Sequence, residues 1–366
     1  MNQDEKAKAY QRKKYGITLI HLGFEILLLA LLIVTRLTFI FQKVAVSSSP
    51  NFYLQAGVYF SLFFAYLWIF DIFFSLYSGF HLEHLYGLSN QTLGAWFFEW
   101  MKSSALFYFF SLLLILGLYA LILKFPHRWW IWAWVGFAGM SYLLGQLFPV
   151  LVVPLFYRYS RVENEALRNR IFKMVAKFNL PLENVYSLNL SKTTKKANAM
   201  FAGLGRTKRL VLADTLIQNF TVDEIESVVA HELGHFKHHD IWHHLGFSLL
   251  TSFAGFALAF NLIKTLAPRL GYAGAHDLAA FPLLYLIFFI FAMSLTPLSN
   301  AYSRWREKEA DRFALKVTDP QAFIGAMEKL AQQNLADPDP HPLVVVWFYT
   351  HPPVSARIEM AKRWTG

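Results

Sequence analysis

The chain contains no cysteine. Disulfides, thiol catalysis and thiolate metal ligands are therefore excluded together, and any bound metal must be held by histidine and carboxylate. Charge is scarce as well. Asp, Glu, Lys and Arg make up 16% of the 366 residues, against roughly 25% in an ordinary soluble chain. Apolar residues fill the space: hydrophobics reach 55% and aromatics 17%, with 36 Phe and 11 Trp. A soluble globule cannot bury that much apolar surface, and disordered chains are poor in these residue types. A lipid bilayer is the solvent that fits. Internal repeats and low-complexity tracts are also absent from the sequence.

Lys plus Arg number 34 and Asp plus Glu 24, a formal net charge of +10. Such an excess can serve nucleic-acid binding, but here the basic residues flank apolar runs, as they do on the cytoplasmic side of membrane proteins. Nucleic acid is therefore not expected as a partner, whereas membrane lipid is. Six runs are long enough to cross a hydrocarbon core, which takes roughly 20 helical residues. They lie near 17–40, 53–78, 104–124, 130–156, 245–267 and 281–299. The first is too long for the apolar part of a signal peptide and lacks a small-residue cleavage site. Lys6, Lys8, Arg12, Lys13 and Lys14 precede it and are expected to stay cytoplasmic. Four crossings then leave 158–242 on that same side, and two more leave 302–366 there. The short loop 79–103, with Lys102 alone, adds little to the orientation. Trp129, Trp130, Trp132 and Trp134 read as an interfacial belt. His21, Glu25 and Asp71 inside the runs call for a wet interior or a partner on another helix.

The expected fold is mainly α: a polytopic helical membrane protein of about six transmembrane helices with a cytoplasmic-side α+β catalytic region. Its parts are 1–157 (membrane helices one to four), 158–244 (catalytic), 245–299 (helices five and six) and 300–366 (C-terminal catalytic). In the polar segment, Glu163 to Phe178 has helical periodicity, while Val185–Leu190 and Arg209–Ala213 resemble short strands about a turn at Gly203–Gly205. Thr221-Val222-Asp223-Glu224 is a capping box that opens a helix.

That helix carries His231-Glu232-Leu233-Gly234-His235. Histidines four apart lie on one helical face and can share a metal ion, and Glu232 sits where it can deprotonate a metal-bound water. Zinc suits the role, since it lowers the pKa of bound water to about 7. His238, His239, His243 and His244 follow; His235/His239 and His239/His243 share the spacing, but neither is followed by the glutamate a base requires. A catalytic zinc takes three protein ligands and one open position. Glu307 is the candidate third ligand, with Asp311 one turn on to orient a ligand histidine. The same acids could instead pair with Arg304, Arg306, Lys308 and Arg312 along a solvated face, and spacing alone leaves both readings open.

The HELGH helix, followed after two membrane runs by Glu307-Lys308-Glu309-Ala310-Asp311, resembles the type 1 CAAX prenyl protease family of integral-membrane gluzincins. Further segments resemble it too: Tyr77-Ser78-Gly79-Phe80 with Glu83, Asn90-Gln91-Thr92-Leu93-Gly94, Asn198-Ala199-Met200-Phe201, Lys208 to Leu216, and His351-Pro352-Pro353 with Arg357. The resemblance implies one Zn2+ on His231, His235 and Glu307, with Glu232 as general base. His351 and Arg357 would face the reacting carbonyl and its developing oxyanion. Asn198, Ala199, Met200 and Phe201 would align the substrate as an added strand. It implies a peptide or lipidated protein as substrate. Two departures stand out: the family usually has seven membrane helices, and it tends to carry a histidine where this chain has Asp240. A second reading keeps the chemistry and makes the protein a quality-control protease of the heat-shock type. A third, a metal-binding transporter, lacks the paired broken helices or half-to-half similarity of transporter folds. Oligomeric state is not encoded in these patterns.

Overall fold

The computed structural model describes residues 2–180, 182–202 and 208–365. The expected turn at Gly203–Gly205 lies outside the described residues. Helix α1 (Gln3–Val34) opens on a capping box, with Asn2 Oδ1 accepting from Glu5 N at 2.8 Å and Glu5 closing back on Asn2 N. The first apolar run is not one helix. Arg36 adopts a left-handed conformation (φ 58°), and a short second helix, α2 (Leu37–Ser48), turns back against α3 (Phe52–Ser75). Hydropathy cannot register that break, because both sides of it are apolar.

The α3 rod continues through a π-helical turn (Leu76–His81) into α4 (Leu82–Leu85), so the expected loop from 79 is largely helical. Thr92 caps α5 (Leu93–Lys124), followed by α6 (Trp129–Leu147) and α7 (Val153–Phe156). Trp129 is buried, Trp130 packs on Phe253 and Phe260, and Trp134 Nε1 donates to the Leu249 carbonyl at 3.1 Å. Of the four tryptophans expected as a belt, three thus knit helices together, because indoles with an inward donor can be satisfied there; Trp132 alone faces outward.

The polar segment holds β1 (Tyr159–Arg161), α8 (Glu165–Ala176), β2 (Asn184–Leu188), β3 (Ala199–Ala202), β4 (Arg209–Ala213) and α9 (Asp214–Asn219). The sheet order is β1-β2-β4-β3; β2 and β4 are parallel, the outer pairs antiparallel. Next comes α10 (Val222–Lys237), then α11 (Asp240–Arg269), α12 (Phe281–Val317), α13 (Pro320–Asn334), α14 (Pro342–Phe348) and α15 (Val354–Lys362). Two cores result. Leu167, Ile171, Leu210, Leu212, Val229, Leu233 and Phe323 fill the catalytic lobe; Leu32, Tyr59, Tyr119, Trp129 and Phe281 fill the bundle. Among the described residues six helices are long and apolar enough to cross a membrane, as expected. The boundaries set at 244/245 and 299/300 fall inside α11 and α12, so membrane and catalytic regions share continuous helices.

His21, Glu25 and Asp71 line a cavity of about 570 Å³ among α1, α3, α5 and α12. His21 lies 3.5 Å from Asp71, and Glu25 accepts from Tyr285 at 2.9 Å. Each of the three ionisable groups thus meets a polar group on another helix.

Candidate active site

Thr221 accepts from Glu224 N at 3.3 Å, and Glu224 closes back on Thr221 N at 2.7 Å. This capping box, worth about 1 kcal/mol, sets the start of α10. One apolar face of the helix, through Ile225, Val228, Val229 and Leu233, is buried in the lobe core. The adjacent face then presents His231 and His235.

The two helices that supply the ligand candidates cross at Gly234. A Cβ there would meet the Ala310 Cα at 2.9 Å and its carbonyl at 3.1 Å. Glycine lets α10 and α12 touch by their backbones, which carries Glu307 to the histidines. His231 Nε2 and His235 Nε2 lie 3.2 Å apart, and Glu307 oxygens stand 3.2 Å from the first and 3.4 Å from the second. A tetrahedral ion with ligand bonds of about 2.0–2.1 Å has edges of about 3.3 Å. The spacing fits.

Hydrogen bonds behind the rings decide the chemistry. Asp311 Oδ1 lies 2.8 Å from His231 Nδ1, and Asp240 Oδ2 lies 2.7 Å from His235 Nδ1. A carboxylate can only accept, so each Nδ1 carries a proton, and whenever a ring is neutral its lone pair lies on Nε2, facing the other ring. Glu307 adds carboxylate oxygens, and its buried Oε2 has no hydrogen-bond partner of acceptable geometry among the described residues. Two imidazole nitrogens and a carboxylate converging on one point suit a cation. Each aspartate is held in turn by an arginine: Arg306 Nε donates to Asp240 at 2.7 Å, and Arg357 Nε donates to Asp311 at 2.8 Å. Two Arg–Asp–His chains therefore back the two rings.

The same electrostatics move the titrations in the metal-free protein. Burial opposes a charge on His231, but Asp311 and Glu307 outweigh it and raise its pKa. Burial likewise opposes a charge on His235, yet Asp240 and Glu307 hold it up at about 10. Burial raises the Glu232 carboxyl, and the neighbouring imidazoles and Arg357 only partly offset this. Such a carboxyl is displaced toward the range in which a general base or acid works. Desolvation in the cleft and the positive charge of Arg357 push His351 below its ordinary value, against the pull of Glu307.

Glu232, His351 and Arg357 line one cleft of about 400 Å³ together with His231, Asn198 and Ala199. His351 is more than half exposed, and its Nε2 is 3.3 Å from Glu307. Arg357 is buried with Nε and Nη2 committed to Asp311, so it acts first on the His231 chain. Asn198 and Ala199 stand at the head of β3, an edge strand of the sheet. Met200 and Phe201 lie further along it; Phe201 packs on the lobe core and Met200 on a smaller cluster with Leu188 and Val211. The rival histidine pairs separate because α10 ends at Lys237 and His239 adopts a left-handed conformation (φ 55°). In the sequence Asp240 stands as an acid in place of a histidine and, after His239, as a side chain short for the base role. Its partnership with His235 depends on that sharp turn, which spacing along one helix does not show.

Residues 161–365 match the profile of peptidase family M48, and residues 2–158 match a profile described as CAAX prenyl protease N-terminal, five membrane helices. The chain belongs to peptidase family M48. Among its relatives is the metalloprotease YhfN of Bacillus subtilis, 32% identical over 290 residues, covering 78% of this chain and 68% of that one. CAAX prenyl protease 1 of Saccharomyces cerevisiae is 28% identical, covering 79% and 68%. The crystal structure of Saccharomyces mikatae Ste24p superposes with a TM-score of 0.87 over 99% of this chain and 89% of that chain, at 24% identity. This M48 chain is thus a multi-pass membrane metalloprotease with a Ste24p-like fold. The N-terminal profile's five helices correspond in number to the four long helices before residue 158 plus short α2.

Proposed function

We propose that the chain is a zinc endopeptidase whose ion is held by His231 Nε2, His235 Nε2 and the Glu307 carboxylate. The facing Nε2 lone pairs at 3.2 Å carry this reading. Zinc suits a two-histidine, one-carboxylate set, and when bound it supplies a polarised carbonyl and a water acidic near pH 7. Glu232 takes the proton from the attacking water and returns it to the leaving amine. Asp311 and Asp240 hold the ligand rings in the tautomer that leaves Nε2 free. His351, neutral and exposed in the cleft, donates to the oxyanion as it forms. Arg357 keeps Asp311 ionised and in place. The peptide lies extended beside β3, which among the described residues is paired to β4 on one side only, so Asn198 and Ala199 align it as an added strand.

The relatives named CAAX prenyl protease support lipidated C-terminal peptides as substrates. The basic start of α1 supports an active site on the cytoplasmic face. Glu232→Gln tests the chemistry: it should fold, bind zinc and lose about 10²–10⁴-fold in peptide hydrolysis. Full activity in that variant would reject the mechanism. Cleavage of a prenylated peptide over its unprenylated twin tests the substrate class; equal cleavage, with attack on loosely folded membrane proteins, would favour the quality-control reading.

A further inference from the structure

The N-terminal helix α1 is long and apolar enough to span a membrane. Its first turns do something else. Gln11 and Tyr15, one helical turn apart and so on one face, line the same cleft as Glu232 and His351. Several contacts fix them there. Gln11 Nε2 donates to the Leu335 carbonyl at 2.7 Å. Tyr10 donates to Glu83, and Lys196 reaches both groups, at 3.1 and 2.8 Å. Tyr15 stacks on Phe348 with ring centroids 4.8 Å apart and stands 6.2 Å from the ring of Tyr349. Tyr349 is in turn anchored, its carbonyl accepting from Arg304 at 2.7 Å.

Tyr349 lies two residues before His351, a reach of at most about 7 Å along the chain. The aromatic floor made by Tyr15, Phe348 and Tyr349 therefore begins within about two substrate residues of the reacting carbonyl. Leu216, Met327, Leu330 and Val354 add aliphatic surface to the same cleft, whose lining also carries the polar Asn334, Asp337 and Thr350. Against the ring faces of Tyr15, Phe348 and Tyr349 a polar substrate side chain would lose its water with little in return, whereas an apolar one gains contact.

We propose that Tyr15 is a specificity-determining residue: its ring is the floor on which an apolar substrate side chain, within two residues of the scissile bond, is seated. This rests on the peptidase reading and adds to it a role for the N-terminal helix beyond crossing the membrane. The test uses the full-length zinc-loaded chain in detergent and a peptide series with Leu or Ala at each of the two positions on either side of the scissile bond. Wild type should prefer Leu at one position by about 10-fold in kcat/KM, the scale of a few methylenes in an apolar pocket. Tyr15→Ala should erase that preference through KM with kcat nearly unchanged, and Tyr15→Phe should keep it. A Tyr15→Ala chain that retains the preference, or that loses kcat equally on both peptides, overturns the inference.

Should Tyr15→Ala not fold, the absence of native cysteine offers a second route. Gln11→Cys combined with Glu232→Gln gives a single thiol in an inactive chain, and a bromoacetyl peptide should alkylate it faster than free bromoacetamide does. Labelling no faster than with bromoacetamide overturns the inference as well. A wild-type chain that cleaves none of the peptides overturns the peptidase reading itself; one that cleaves them with a preference indifferent to Tyr15 overturns the inference alone.

Discussion

Gly234→Ala is the smallest change that should disable the site from outside its ligand set. Alanine is the better helix former by about 1 kcal/mol, so propensity alone predicts a gain. The crossing predicts a loss. The new methyl would stand 2.9 Å from the Ala310 Cα and 3.2 Å from the Phe313 Cβ, where carbon pairs rest at about 3.5–4.0 Å. The helices α10 and α12 must therefore part by roughly 0.5–1 Å, one turn from Glu307 and next to His235. Ligand distances tolerate only about 0.2 Å. Overpacking costs about 1–3 kcal/mol, so net stability should fall by at most about 2 kcal/mol while zinc affinity falls at least about 10-fold, the scale seen when a ligand's orienting partner is lost. Chelator competition reads the affinity, and thermal unfolding reads the stability. Gly246→Ala is the control, since nothing lies within 4 Å of its Cβ on α11; it should be neutral or slightly stabilising. Wild-type zinc affinity in Gly234→Ala would refute the claim that backbone contact at this crossing positions Glu307.

Three further outcomes follow from the Arg–Asp–His chains. Asp240→Asn keeps an acceptor and should lower zinc affinity about 10–100-fold; Asp240→Ala should also destabilise the fold by about 3–5 kcal/mol, because Arg306 is left buried without its partner, as denaturant unfolding would register. Metal-stripped protein should lose stability as pH rises from about 6.5 toward 10, since the His235 pKa is raised on folding and its charged form stabilises the fold only below that value. Zinc needs the neutral rings, so the gap in melting temperature between loaded and stripped protein should widen over the same window; a gap independent of pH would contradict the assignment. Arg357→Met should weaken zinc binding as well as turnover if its main act is on Asp311, whereas a pure oxyanion role would leave the affinity unchanged.

Much of the site was legible in one dimension because it is written in helical spacing. His231 and His235 share a face, Glu307 and Asp311 share another, and the capping box at Thr221 marks where the first helix begins. The strand Arg209–Ala213 also appears with the expected bounds, its apolar run bounded by charge at each end. What was not legible depends on segments meeting across space. The break at Arg36 has apolar chain on both sides, so a hydropathy window passes over it. Asp240 reaches His235 only because the chain reverses through His239. Arg306 looked like a solvated neighbour of Glu307, yet it is buried against Asp240. Gln11 and Tyr15 sit in a basic stretch whose evident meaning is membrane orientation, and nothing in its periodicity points to a cleft built from residues three hundred positions away.

Zinc-edge X-ray absorption on the purified full-length chain addresses the central claim most directly. The account predicts one zinc per chain with two imidazole nitrogens and a carboxylate oxygen at about 2.0–2.2 Å and no sulfur, and loss of that spectrum in Glu307→Ala. A chain that binds no zinc, or a Glu307→Ala spectrum indistinguishable from wild type, would contradict it.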